Sequence, residues 1–155
     1  MNRFLKTAAI LLAVALIFAG CQKKPAEPTG PAKAAFHIGV VTGTVSQSED
    51  DLRGAEELIK RYGKVAEGGM IQHITYPDKF MDQQETTISQ IVALADDPMM
   101  KAIVMNQSVP GAAEAFKRVR AKRPEILLFA GEPHEDPLVI EAAADLAINS
   151  DFISR

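Results

Sequence analysis

Five short stretches of this sequence gather side chains that both donate and accept hydrogen bonds: Thr42-Gly43-Thr44-Val45-Ser46, Tyr76-Pro77-Asp78, Asn106-Gln107-Ser108, Gly131-Glu132 and Asn149-Ser150-Asp151. Hydroxyls and amides of this kind suit recognition of a small polar molecule by fixed hydrogen bonds. They offer no activated nucleophile. The chain has no nucleophile elbow, no glycine-rich dinucleotide fingerprint and no carboxylate pair that the sequence itself places together. Binding without catalysis is therefore expected, and the protein is not read as an enzyme. A second cluster, Glu132-Pro133-His134-Glu135-Asp136, sets an imidazole among three carboxylates and could hold a divalent metal with His37 or His73. Its spacing matches no known ligand pattern, so a solvated loop with Glu135 or Asp136 at the start of the next helix is the simpler expectation. No metal and no cofactor are expected.

Each polar stretch follows a short apolar run, and the runs alternate with amphipathic segments. Phe36 to Val41 is rich in β-branched residues and closes at Thr42-Gly43, which predicts a strand and its turn. Glu49 to Tyr62 places Leu52, Ala55, Ile59 and Tyr62 at helical spacing, with Ser46 three before Glu49 as a capping box and Gly63 as the stop. The unit then repeats. Met70 to Thr75 is the second strand, and Asp82 with Glu85 opens a helix whose face is Ile88, Ile91, Val92 and Ala95. Ala102 to Met105 and Ile126 to Ala130 are unbroken apolar runs, as strands covered on both faces should be. Between them Pro110 opens a helix with Ala112, Phe116 and Val119 on one face. Pro137 to Ala144 reads as a short helix and Leu146 to Ile148 as a last strand.

Strict alternation argues an α/β fold: a doubly wound, five-stranded parallel sheet of flavodoxin-like order, with helices on both faces and right-handed crossovers. Ligands of such sheets bind beyond the carboxyl ends of the strands, beside the first strand, where the order reverses. His37 and His73 lie inside strand runs and are expected as half-buried rings with local hydrogen bonds. The basic run Lys117, Arg118, Arg120, Lys122 and Arg123 is expected to satisfy its own helix end.

The chain has 155 residues, 47% hydrophobic and 24% charged, which suits one folded domain and excludes disordered and fibrous classes. A net charge of -3 gives no footprint for nucleic acid. The single cysteine excludes an intrachain disulfide. Its position suggests another use. Arg3 and Lys6 precede an apolar run from Thr7 to Phe18, after which the chain reads Ala19-Gly20-Cys21, the order of a secretory signal peptide. That run is short of the roughly 20 apolar residues a membrane span needs. Removing residues 1–20 removes two cations and no acid, leaving a net charge of -5. Residues 21–35 hold Pro25, Pro28 and Pro31 and little that could pack, so they read as an extended tether. The folded domain is placed at residues 36–155.

Ala19-Gly20-Cys21 resembles the lipobox of bacterial lipoproteins, with Phe18 where that pattern prefers Leu. The resemblance implies acylation of Cys21 and attachment to the outer side of the cell membrane by lipid chains. With the Pro-rich tether, the first strand FHIGVVTGT and the third-strand segment KAIVMNQSVPG, the sequence resembles the type 1 periplasmic substrate-binding proteins. More closely it is similar to bacterial lipoproteins of unknown function with that fold. The resemblance covers residues 36–155 and implies the amino-terminal lobe alone, without the second lobe and crossover hinge. It implies capture of a small polar solute for an ABC-type importer, with its permease as partner, or for a sensor. Ligand contacts would fall on Thr42, Thr44, Ser46, Asn106, Gln107, Glu132 and Asp151, with Tyr76 as a stacking surface. Two alternatives stay open: an interaction lipoprotein without a small ligand, and a flavodoxin-like FMN-binding domain, since Thr42-Gly43-Thr44 also resembles part of a flavodoxin phosphate loop.

Overall fold

The computed structural model describes residues 33–148. Cys21, Asp151, the leader and nearly all of the tether lie outside them. Five strands, β1 (His37–Thr42), β2 (Ile71–Thr75), β3 (Met100–Met105), β4 (Leu127–Gly131) and β5 (Leu146–Ile148), form one sheet in the order β2-β1-β3-β4-β5. Every pairing is parallel. The order reverses between β1 and β3, so the expected flavodoxin-like topology and its switch point are present. Four helices intervene: α1 (Glu49–Tyr62), α2 (Gln84–Leu94), α3 (Ala112–Lys122) and α4 (Pro137–Ala143).

Register and strand alternation decide what each face carries. Val41, Ile103, Met105, Leu128 and Ala130 point to one side and join Ile88, Ile91, Phe116, Val119 and Ile140 in the main core. That side is covered by α2, α3 and α4. On the other side Val40 and Ile71 pack with Ala55 of α1, flanked by Ile38, Ile59 and Met70. Among the described residues, only α1 covers this second face, and only over β1 and β2. Ala102 and Val104 of β3, Leu127 and Phe129 of β4 and Leu146 and Ile148 of β5 align in register on the same side as Val40. Leu127, Leu146 and Ile148 are 50%, 48% and 53% exposed. The unbroken run in β4 therefore does not mean coverage on both faces here, a correction to the sequence reading.

Other local expectations also change. Ser46 does not cap α1; the N-cap is Ser48, which makes no side-chain bond, while Ser46 turns to Asp78. Asp82 closes a turn onto Lys79, and α2 starts from Gln83 instead. Pro110 stands outside α3, whose N-cap is Gly111 at φ 98. The carboxylate of Glu135 reaches back to that helix start, accepting from Gly111 N at 2.5 Å and Ala113 N at 3.1 Å. Asp136 caps α4 through Leu138 N at 2.9 Å.

Candidate functional site

The loop after β1 meets the loop after β2 through three side chains. The hydroxyls of Thr44 and Ser46 both donate to Asp78 Oδ1, Ser46 from 2.7 Å, and the Gln47 amide donates to the Asp78 carbonyl at 3.0 Å. These hydroxyls hold the Asp78 carboxyl below the ordinary carboxylate range. Thr44 also lies 2.9 Å from Ser46 Oγ. With their protons directed at Asp78, the two hydroxyls present lone pairs outward, so this part of the rim is rich in acceptors.

At the switch point itself Asn106 Nδ2, just past β3, donates to Asp51 Oδ1 in the first turn of α1 at 2.5 Å. The other carboxylate oxygen of Asp51 is shielded from solvent and has no partner among the described residues. Tyr76 is 1% exposed and lies edge-on to Phe80, with ring centroids 5.5 Å apart. Its ring therefore serves the core and offers no open face for stacking, contrary to the sequence reading. Its hydroxyl donates to Gln107 Oε1 at 3.1 Å, and burial, with Asp51 adding to it, pushes its pKa up to about 12. Gly43 sits under this contact: a Cβ there would come within 2.9 Å of the Tyr76 hydroxyl. Tyr76 thus joins β1, β2 and β3 at their carboxyl ends.

Thr42 is 2% exposed and faces α1, bonded to the Gly43 carbonyl at 2.9 Å and to His73 Nε2 at 2.8 Å. His73 lines a separate groove of about 690 Å³ between α1, β2 and the turn after α1, along with Glu56, Lys64 and Gln72. That groove flanks the edge of the sheet and does not include the switch-point residues. Glu132 is exposed at φ 35 on the end of β4, the strand next to β3 and its Asn106. Of the eight residues named from sequence, Thr44, Ser46, Asn106 and Gln107 line the strand ends near β1. Thr42 and Tyr76 are buried beneath them, Glu132 is exposed on the neighbouring β4 end with no side-chain bond to them among the described residues, and Asp151 lies outside the described residues.

Sequence reasoning passed over Asp51 and Asp78. Asp78 was visible as part of a polar strand end, and Asp51 as one of three acids opening α1. Nothing in the sequence showed that either would accept from a residue more than 30 positions away.

The metal alternative finds no geometry: His37 lies at the amino end of β1, where its Nδ1 is 2.5 Å from Asp97, and Glu135 and Asp136 serve helix starts. No group of three metal-ligating side chains is present among the described residues. Four of the five basic residues are paired in place, Arg118 on Glu114, Arg120 on Asp145 at 3.0 Å, Lys122 on Asp96 and Arg123 on Glu125 at 2.6 Å. No described helix is long and apolar enough to cross a membrane.

Comparison with known proteins adds relatives. An uncharacterized protein of Treponema pallidum (strain Nichols) is 41% identical over 152 residues, covering 96% of this chain and 68% of the relative. A second uncharacterized protein of that organism is 44% identical over 63 residues, 41% of this chain and 29% of the relative. Among solved structures, a protein of Clostridium difficile 630 provisionally named a transcriptional regulator matches with a TM-score of 0.65 and 29% identity, over 72% of this chain. This chain spans about a third of that structure, 33% of its length. The family model for a protein of unknown function (DUF3798) matches residues 36–155, and with the first Treponema relative it shows that this chain belongs to that family.

Proposed function

We propose that the carboxyl ends of β1, β2 and β3 bind a small polar solute by hydrogen bonds and leave it unchanged, for delivery to an ABC-type importer or for sensing. The observation that carries this reading is the convergence of Asp51, Asn106, Gln107 and the Tyr76 hydroxyl at the topological switch point, where ligands of such sheets bind. The rim chemistry narrows the solute. Thr44 and Ser46 direct their protons to Asp78, and no described cation forms an ion pair with Asp51 or Asp78. Such a surface favours solutes that donate hydrogen bonds, hydroxyl or ammonium compounds, over phosphates. That also weighs against the FMN-binding alternative. In this reading acyl chains on Cys21 hold the domain at the outer face of the cell membrane, since two or more chains give stable attachment.

Thermal unfolding with sugars, nucleosides, amino acids, free phosphate and FMN tests the proposal, because a ligand of the native state raises the melting temperature by mass action. The expected result is a concentration-dependent rise with at least one neutral or cationic hydrogen-bond donor. Asn106→Ala then weakens binding by about 1–3 kcal/mol, the cost of leaving buried polar groups unpaired. A rise with FMN or phosphate alone would support the flavodoxin-like alternative. No rise with any compound overturns the solute-binding reading.

A further inference from the structure

The outer edge of β2 is occupied only at its start. On the inner edge Ile38 N donates to the Met70 carbonyl and Tyr76 N to the Thr42 carbonyl, so the even-numbered residues of this stretch serve β1. Backbone groups alternate along a strand, and Ile71, His73 and Thr75 therefore point theirs outward. Ile71 N meets the Gly63 carbonyl at 2.9 Å, and Lys64 pairs with Ile71 in parallel, like the beginning of a sixth strand. The chain then turns away through Val65–Glu67. Among the described residues the N-H and C=O groups of His73 and Thr75 are left without a backbone partner.

The groove that His73 lines opens beside those groups. It measures about 690 Å³, and its apolar walls are Leu52 and Ile59 of α1, Val65, and Ile71 of β2. Paired residues of neighbouring strands send their side chains to the same face, so a residue opposite His73 in a sixth strand would fill this groove. Glu56 and Lys64 also line it, one charge of each sign, and Glu56 pairs with Arg53 at 2.7 Å. The groove thus suits an uncharged apolar side chain. Outward backbone groups recur about every 6.6 Å along the edge, two residues of strand, an interval that extended polypeptide matches and a small solute does not. The devices that guard open edges are missing, since Ile71–Thr75 has no Pro, no Lys and no bulge against β1.

We propose that the β2 edge and its groove dock an extended peptide segment of a partner protein, which adds a sixth strand beside His73 and Thr75 and places an apolar side chain in the groove. The site is separate from the switch point, and neither depends on the other.

Amide hydrogen exchange, read residue by residue by NMR on the 155-residue chain, tests it. In the chain alone His73 and Thr75 should exchange fast and Gln72 and Ile74 slowly, because only the second pair bonds to β1. An excess of the acetylated, amidated peptide Ser-Thr-Leu-Thr-Leu-Thr-Ser is expected to slow His73 and Thr75 at least tenfold and to leave Gln72 and Ile74 unchanged. Its fully N-methylated form, which has no N-H to donate, should slow neither. Ala66→Trp fills the groove from an exposed position and should abolish the effect of the peptide, with slow exchange at Gln72 and Ile74 reporting an intact sheet. If that substitution unfolds the chain, the two peptides compared on the natural sequence decide alone. No slowing by the first peptide overturns the proposal, and so does equal slowing by the N-methylated form, which would mean groove binding without an added strand. Undiminished slowing in a folded Ala66→Trp chain places the peptide elsewhere and also overturns it. Slow exchange at His73 and Thr75 without peptide does the same, in favour of a second copy where dilution restores fast exchange and of this chain's own polypeptide where it does not.

Discussion

His73 shows how one side chain joins the polar and apolar parts of the molecule. It is half buried on the α1 face, and desolvation pulls its pKa below the ordinary 6.5 against the opposing pull of Glu56. With the Thr42 proton given to the Gly43 carbonyl, the neutral ring donates to Thr42 from Nε2. The unfolded chain then holds the His73 proton more tightly than the folded one. The stability linked to this ring is therefore complete above pH 6.5 and is lost as the pH falls through the lower, folded-state value. Melting temperatures at about pH 7.5 and pH 5 should fall further in the natural chain than in His73→Gln, which cannot titrate. Parallel losses in the two proteins would remove His73 from the pH response. Asp78 and Asp145 are both held below the ordinary 3.8, so their protonation acts at lower pH and leaves this window clear. At this scale the sequence showed which residues were polar and at strand ends, and the half-buried histidines were read correctly. It did not show pairings such as Asn106 with Asp51, because those depend on where distant strands meet. A carboxylate in a helix's first turn reads as a helix-end charge until its partner is known.

Helix and strand boundaries were legible where a local signal decides them and less so where a neighbour does. The bounds Glu49–Tyr62 and Leu146–Ile148 match those read from sequence. In α1 the helical period runs directly into Gly63, whose φ of 73 ends it. β1 and β4 each sit one residue further on than composition suggested, since a ladder partner fixes where a strand ends. The start of α3 is the clearest case of a non-local cap. Gly111 has no side chain to cap with, and Glu135, 24 residues later, supplies the carboxylate to its N-H and that of Ala113. Replacing Glu135 with Ala should lower stability by about 1 kcal/mol, as loss of a helix cap does, and urea denaturation reads it directly. A change within a few tenths would mean that water serves those two N-H groups equally well. The same loop region depends on Gly131, where a Cβ would collide with the Asn106 backbone carbonyl, and so it couples the β4 end to the candidate site.

The two faces of the described sheet are covered unevenly, and two adjacent leucines of β4 report it. Leu128 is fully buried under α3 and α4, whereas Leu127, on the opposite side of the same strand, is 50% exposed. Hydropathy alone treats them as equals, which is why the sequence reading expected cover on both sides. Pattern identifies a parallel sheet and its switch point, but it cannot tell whether each face has received its helix, because covering layers come from distant chain. The asymmetry gives opposite expectations for the two positions. Leu128→Ala removes buried methyl groups from a packed core and should cost about 2–5 kcal/mol. Leu127→Ser replaces a side chain that already meets water and should stay within about 0.5 kcal/mol of the natural chain, as surface changes usually do. Paired urea titrations of the 155-residue chain measure both. A large loss at Leu127 would mean that this side is already covered in solution.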